Sequence, residues 1–231
     1  MTKIIRLDLD DVNCYLIKTE TGFILVDTGG YTFRGRSDKR GLLEEKLKEN
    51  ACVPGALAAV ILTHGDVDHS ASCRYIRDTY KTKIYIHKAD APLTSGLTVR
   101  KVLSNFKFRS PVFALISFLM YPLFCRMTKK IVEKYEEFEA DGYVSEETDL
   151  KEFGLEARII HLPGHTEGSI GILFPNGDFI SGDVLANAGK PGISPNHWNL
   201  KKLKESVYRI KTLPVKTVYP GHGNPFQIAE L

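Results

Sequence analysis

Two imidazoles and two carboxylates crowd one short stretch, Thr63-His64-Gly65-Asp66-Val67-Asp68-His69. Side chains of these types packed so closely repel and desolvate one another unless a cation draws them together, so the chemistry they indicate is metal binding. Three further potential ligands stand downstream: His165 after Leu162-Pro163-Gly164, Asp183 after Ser181-Gly182, and His222 between Gly221 and Gly223. Such a centre would be hydrolytic. A bound divalent cation brings the pKa of its water toward neutrality and polarises the carbonyl or phosphoryl oxygen that this water attacks. The chain has no G-x-S-x-G elbow, no convincing Ser-His-Asp set and no P-loop, so a metal-bound hydroxide is the strong nucleophile the residues offer.

The elements that must position these groups are strands. Ala58-Ala59-Val60-Ile61-Leu62 is an apolar run that reads as a buried strand ahead of His64. Ile159-Ile160, Phe179-Ile180 and Thr217-Val218-Tyr219 stand in the same way before His165, Asp183 and His222. Each strand delivers a potential ligand at its carboxyl end, where loops on rigid scaffolds build sites. The plan also repeats. A hairpin over Asn13 to Asp27 and another over Ser169 to Asp183 each end in an acid. After each comes a helical segment, about 41 to 49 and about 199 to 211, and then a strand leading to a histidine. Asp27 and His64 are 37 positions apart, Asp183 and His222 39, which reads as an internal duplication whose halves meet at the metals.

On these motifs, T-H-x-D-x-D-H followed by G-H, G-D and G-H between residues 63 and 223, the chain resembles the metallo-beta-lactamase superfamily, with Asp66 standing where the family pattern has a second histidine. The resemblance implies an α/β fold, a four-layer αβ/βα sandwich with two metals at one end of two packed sheets. It further implies that one metal takes His64, Asp66 and His165, the other Asp68, His69 and His222, and that Asp183 bridges them. Zinc is the first expectation for both ions. Asp66 adds a hard anionic oxygen, which shifts preference toward iron or manganese and makes the bound water less acidic; alternatively its short side chain reaches the metal only through a water. Asp68 is also a candidate for holding the proton as the leaving group departs.

The carboxylate at position 66 is similar to that of the flavodiiron oxygen and nitric oxide reductases, so diiron redox chemistry with a separate electron donor is the alternative enzyme reading. A third reading is a metal-bound ligand sensor with little turnover. Asp27, ending its strand near the mouth of the site, is expected to orient a ligating histidine through a hydrogen bond. His161 and His87 read as structural groups, and His197 as either overhanging the cleft or capping the following helix. Arg34, Arg36, Lys39 and Arg40 sit in a glycine-containing loop that is either a solvated surface or an attractor of anionic substrates.

Composition bounds what remains. With 231 residues, 43% hydrophobic and 26% charged, the chain is long enough for one large core, and a single domain over 1–231 is expected. A net charge of +3 without a basic, aromatic-interleaved stripe excludes nucleic acid as the natural partner and leaves a small molecule. Cys14, Cys52, Cys73 and Cys125 are scattered without a C-x-x-C pair, and the amino terminus lacks the apolar core of a secretory signal; both point to reduced thiols and a cytoplasmic protein.

A helical insertion at about 94–142 interrupts the strands. Within it Pro111 to Cys125 is fifteen residues without a charge, shorter than the roughly 20 a transmembrane helix needs, and Pro122 is expected to break its last turn. Met127, Ile131, Tyr135 and Phe138 then recur at helical spacing and predict an amphipathic helix ending before Gly142. Three readings compete for the apolar run: a helical cap that packs on the sandwich and walls the substrate cleft, a core or homodimer contact, and lodging in a membrane surface. The cap is the favoured expectation, and a cleft walled by Phe, Leu and Met would suit an ester, thioester or lactone with an apolar acyl group.

Overall fold

Period-two alternation along the apolar runs sends successive side chains to opposite faces of a sheet, and that alternation builds the layers. The computed structural model describes residues 3–30, 39–104 and 106–231. In chain order the first half comprises β1 (Lys3–Asp8), β2 (Asn13–Lys18), β3 (Phe23–Val26), α1 (Arg40–Glu49), β4 (Leu57–Ile61), α2 (Val67–Ser70), α3 (Cys73–Tyr80) and β5 (Ile84–Ile86). The insertion carries α4 (Val99–Ser104), β6 (Lys107–Phe108), α5 (Pro111–Leu119) and α6 (Tyr121–Lys134), and β7 (Gly142–Tyr143) returns to the first sheet. The second half comprises β8 (Arg158–His161), β9 (Ile170–Leu173), β10 (Asp178–Gly182), β11 (Leu185–Ala186), β12 (Gly192–Ile193), β13 (Asn196–His197), α7 (Leu200–Thr212), β14 (Thr217–Pro220) and β15 (Phe226–Gln227).

The strands form a six-stranded sheet of order β1-β2-β3-β4-β5-β7 and a five-stranded sheet of order β15-β14-β10-β9-β8. Tyr15, Ile17, Ile24, Val26 and Ile61 of the first face Ile159, Ile170, Ile172 and Ile180 of the second, and this is the core between the sheets. Their neighbours point outward. Leu16, Leu25 and Val60 pack with Leu43 and Leu47 of α1 and Ile76 of α3, while Ile160, Phe179 and Val218 pack with Leu203, Val207 and Ile210 of α7. The result is the expected α/β/β/α order of layers.

Both halves repeat one plan: an antiparallel hairpin (β2-β3, β9-β10), a helix, and a strand parallel to the hairpin's second strand. In the first, Val26 pairs with Ile61; in the second, Gly182 pairs with Pro220. These registers bring Asp27 beside Thr63 and Asp183 beside Gly221, so the parallel crossovers set the acid of each hairpin next to the loop of the following strand. The thiols of Cys14, Cys52 and Cys73 are buried and free, and Cys125 is half-buried and free.

The insertion differs from expectation in three ways. Pro122 does not break the last turn of an apolar helix; it lies in the first turn of α6, where a missing N–H costs nothing, and the chain bends by 78° between α5 and α6. The amphipathic helix stops at Lys134, so Tyr135 and Phe138 reach the core from beyond its end. Finally, α5 buries none of its residues, so it is not a cap packed on the sandwich.

Candidate metal centre

The site forms where both parallel pairs end. His64 follows β4, Asp68 and His69 lie on the single turn α2, His165 follows β8, Asp183 follows β10 and His222 follows β14. Asp66 is the extended residue at the amino end of α2, but its side chain does not cap the helix and is left for the cleft. All seven expected residues converge. Three groups have ligand atoms mutually within 4.8 Å: His64, Asp66 and His165; Asp68, His69 and His222; and His64, His69 and Asp183. Asp183 reaches both sides, its oxygens lying 3.3 Å from His69 Nε2, 3.1 Å from His222 Nε2 and 3.7 Å from His165 Nε2. The Asp66 carboxylate is 3.1 Å from His165 Nε2 and 3.8 Å from His64 Nε2, so a direct ligand position is within its reach.

The residues fit a pair of cations on a physical ground. Nε2 of His64, Nε2 of His69 and Oδ1 of Asp183 are buried with no hydrogen-bond partner, yet they aim at one another's surroundings. Leaving such atoms unsatisfied costs about 1–3 kcal/mol each, a cost a shared cation removes. Electrostatics agree. Burial and the neighbouring His69 and His165 hold His64 well below the usual histidine range. Burial also opposes charge on His69 and His222, but Asp183 and the other carboxylates around them outweigh it and push both well above that range. Burial opposes ionisation of Asp183 too, and His222 and His69 override it, holding the carboxyl well below its usual range.

The far side of every imidazole is tied down. Asp27 Oδ2 lies 2.9 Å from His69 Nδ1, the orienting contact expected for it. Asp27 also accepts from the Thr63 amide and hydroxyl at 2.8 Å each, and its backbone is held at φ +61°. That left-handed conformation costs an Asp of the order of 1 kcal/mol and persists because Thr63 and His69 over-determine it. Thr63 Oγ1 is 2.9 Å from His64 Nδ1, the His222 Nδ1 meets the Asp11 carbonyl, and His165 Nδ1 lies 3.3 Å from Ser194 Oγ. Gly221 is required by space: a Cβ there would lie 2.0 Å from Asp183 Oδ1 and 2.8 Å from His69 Cε1.

One residue of this scaffold carries no sequence signal. Asp90, 1% exposed, accepts from the amides of Gly65 (2.9 Å) and Gly168 (2.6 Å) and from Thr166 Oγ1 (2.6 Å), so it clamps the loop of His64 to the loop of His165. Burial raises its carboxyl to about 6 despite those three donors. Other histidines stay outside. His87 accepts from the Ala89 amide and stacks on His161 at 4.2 Å, while His161 Nε2 meets the Glu167 carbonyl. His197 takes neither role expected of it: it is buried in β13, and Asn199 caps α7. Lys39 pairs with Asp10 and Arg40 with Glu136, so these two are engaged in the protein; Arg34 and Arg36 lie outside the described residues.

A cleft of about 450 Å³ opens at the site, lined by Asp66, Asp68, Asp183 and His222 and by the aromatic rings of Phe106 and Phe108. The two aromatics come from the root of the insertion, where β6 pairs with β13.

The family model of the metallo-beta-lactamase superfamily matches residues 7–222. The chain belongs to this superfamily. It is 30% identical to a protein of Mycobacterium tuberculosis over 226 residues, covering 92% of this chain and 86% of that one. It is 24% identical to a probable metallo-hydrolase of Bacillus subtilis over 237 residues, covering 95% and 83%. Among solved structures, a protein crystallised in a di-iron-bound form superposes with a TM-score of 0.62 at 21% identity, covering 94% of this chain and 90% of that one. The superfamily places the chain among metal-binding hydrolases of this fold, most of which hold two ions.

Proposed function

We propose that the protein is a dinuclear metal-dependent hydrolase that cleaves an ester, thioester or lactone bearing an apolar acyl group. The observation that carries this reading is the convergence of seven ligand-type side chains from four strand ends, with His64 Nε2, His69 Nε2 and Asp183 Oδ1 buried and without hydrogen-bond partners. His64, Asp66 and His165 would hold one ion and Asp68, His69 and His222 the other, with Asp183 between them. Two such ions, when bound, supply an acidified water and an electrophile for the carbonyl oxygen.

The protein's own groups do the rest. Asp27, Thr63, Ser194 and the Asp11 carbonyl fix each imidazole's orientation, so the donor set is arranged before any ligand arrives. Asp68, whose side chain is 26% exposed and opens on the cleft, has its carboxyl pushed up by burial but held below its usual range by His69 and His222. As a carboxylate 3.3 Å from His222 Nε2 it is placed to carry a proton to the departing alcohol or thiol. Phe106 and Phe108 offer the acyl chain an apolar wall and exclude water from it.

The test is a panel of chromogenic esters, thioesters, lactones and phosphodiesters, with zinc, manganese or iron supplied to purified protein. Hydrolysis of the acyl substrates, lost on chelation and restored by metal, is expected; silence across the panel with both ions bound overturns the reading in favour of a sensor. Asp66 and the di-iron-bound relative in fold favour a second reading, a diiron redox enzyme served by a separate electron donor. A coloured protein that consumes oxygen with a reductant would establish it.

A further inference from the structure

We propose that the α5–α6 hairpin docks the protein on an anionic phospholipid bilayer, seating the mouth of the cleft against the lipid surface. Helix α5 and the bend after it are apolar and uncovered by the other described residues: Phe118 is 77% exposed, Leu119 69% and Val112 64%, and α5 buries nothing. A helix apolar on all sides is ordinarily buried in protein or lipid, and isolated exposed patches of this kind mark an interaction surface. Charge decides which occupant fits. From Ala91 to Val132 there is no Asp or Glu but seven Lys or Arg, so this segment carries +7 while the remainder of the chain sums to −4. Lys107 and Arg109 precede the uncharged run and Arg126, Lys129 and Lys130 follow it, all exposed. An apolar tip between cationic shoulders matches acyl chains beneath anionic headgroups. A second copy of this chain would instead set like charges against like in a two-fold contact.

The dimensions match entry into one leaflet rather than crossing. The nine residues of α5 extend about 13–14 Å at 1.5 Å per residue, less than half the roughly 30 Å of hydrocarbon, and the 78° bend sets α6 nearly perpendicular to it. Among the described residues no single helix is long and apolar enough to cross a membrane, and α5 and α6, which together have the length and composition, are bent by 78° between them. The hairpin is also connected to the cleft. At its root Phe108 and Lys107 pair with Asn196 and His197, and the Arg109 amide donates to the Pro195 carbonyl at 2.9 Å. Ring centroids step from Phe106 to Phe108 at 5.9 Å and on to Phe113 at 6.2 Å, an aromatic path from the cleft wall to the lipid-facing helix.

The full chain, metal-loaded, would be sedimented with sucrose-loaded vesicles of phosphatidylcholine alone or with phosphatidylglycerol added. Binding to the anionic vesicles, weakened at least about tenfold on the neutral ones or in high salt, is expected. Phe118→Asp with Leu119→Asp should abolish it and Arg126→Glu with Lys130→Glu should weaken it, both at unchanged metal content, which shows that the variants are folded. Phe118→Trp should gain a blue-shifted emission, quenched by brominated acyl chains, that the wild type with its Trp198 lacks. The proposal is overturned if the wild type stays in the supernatant with anionic vesicles, if the Phe118/Leu119 variant sediments like the wild type, or if light scattering in lipid-free buffer shows a dimer that Phe118→Asp splits.

Discussion

The metal centre and the insertion beside it are built on opposite principles. On the metal side each imidazole has its far nitrogen tied to Asp27, Thr63, Ser194 or the Asp11 carbonyl, and Asp90 clamps two of the loops together. In the insertion α5 has no buried residue and joins the cleft-lining Phe108 through β6, which pairs with β13 over two residues, and through the Phe108–Phe113 contact. Buried polar groups demand partners in fixed geometry, so they impose position on everything near them. Exposed apolar groups demand only removal from water and accept any geometry that supplies it. The contrast predicts large consequences for single polar atoms at the metal centre and almost none, for stability in water, for large side chains on α5.

Asp183 gives the largest effect. Because its two oxygens reach His69, His165 and His222, Asp183→Ala should remove the bridge, drop the metal content below two ions per chain and take acyl hydrolysis to background. Elemental analysis beside rate measurement checks it; two retained ions would break the comparison, since the site would then not depend on its central anion. Asp27→Asn comes next. The amide keeps the shape but presents its oxygen and nitrogen unequally to Thr63 and His69, and loss of such an orienting carboxylate costs about 10–100-fold in metal affinity or activity. A competition titration with a coloured chelator reads the affinity, and wild-type affinity in this variant would show that His69 is held by packing alone.

The metal centre was legible from the amino-acid sequence for a reason that the insertion lacks. Strand periodicity and parallel crossovers leave few registers, so a residue following Leu62 or Ile180 at a strand's end has essentially one place to go, and residue types with metal chemistry at such ends declare a site. The hairpin β2-β3 and its repeat β9-β10 were readable on the same ground. The insertion offered no such constraint. Pro111 to Cys125 has no alternation and no polar face, so nothing in it specifies which surface it meets, and Pro122 is equally compatible with ending one helix and beginning another. Asp90 was illegible for a third reason: a lone acid in Lys88-Ala89-Asp90-Ala91 resembles any surface residue, and its role comes from two backbone amides 25 and 78 positions away.

Asp90 therefore sharpens the comparison through pH. Its folded carboxyl, raised to about 6 by burial, exceeds the unfolded value of roughly 3.9, so the native state binds more protons between those values. The stability it contributes is fully present below the lower value and lost as pH rises through the higher one. Asp90→Asn replaces one acceptor oxygen by a donor facing an amide or a hydroxyl, a cost of about 1–3 kcal/mol. All other titrating groups are common to both proteins, so the variant's deficit should narrow by about 1 kcal/mol between about pH 5 and about pH 7.5. Denaturant unfolding of both proteins at the two pH values measures this, and a deficit that widens with pH would reverse the sign and reject the assignment.

The smallest effect is expected where the exposed side chains are largest. In lipid-free buffer Phe118→Asp with Leu119→Asp removes two residues that are 77% and 69% exposed and cover no core, so unfolding free energy should move by no more than about 0.5 kcal/mol per substitution. Ile180→Ala, within the core between the sheets, is the reference: it should cost about 2–5 kcal/mol by lost transfer energy and cavity formation. If the two exposed substitutions instead cost as much as the buried one, the hairpin is covered in solution by this chain or by another copy of it. The metal centre and the insertion would then obey one principle of burial, and the lipid surface would no longer be needed to account for the apolar tip.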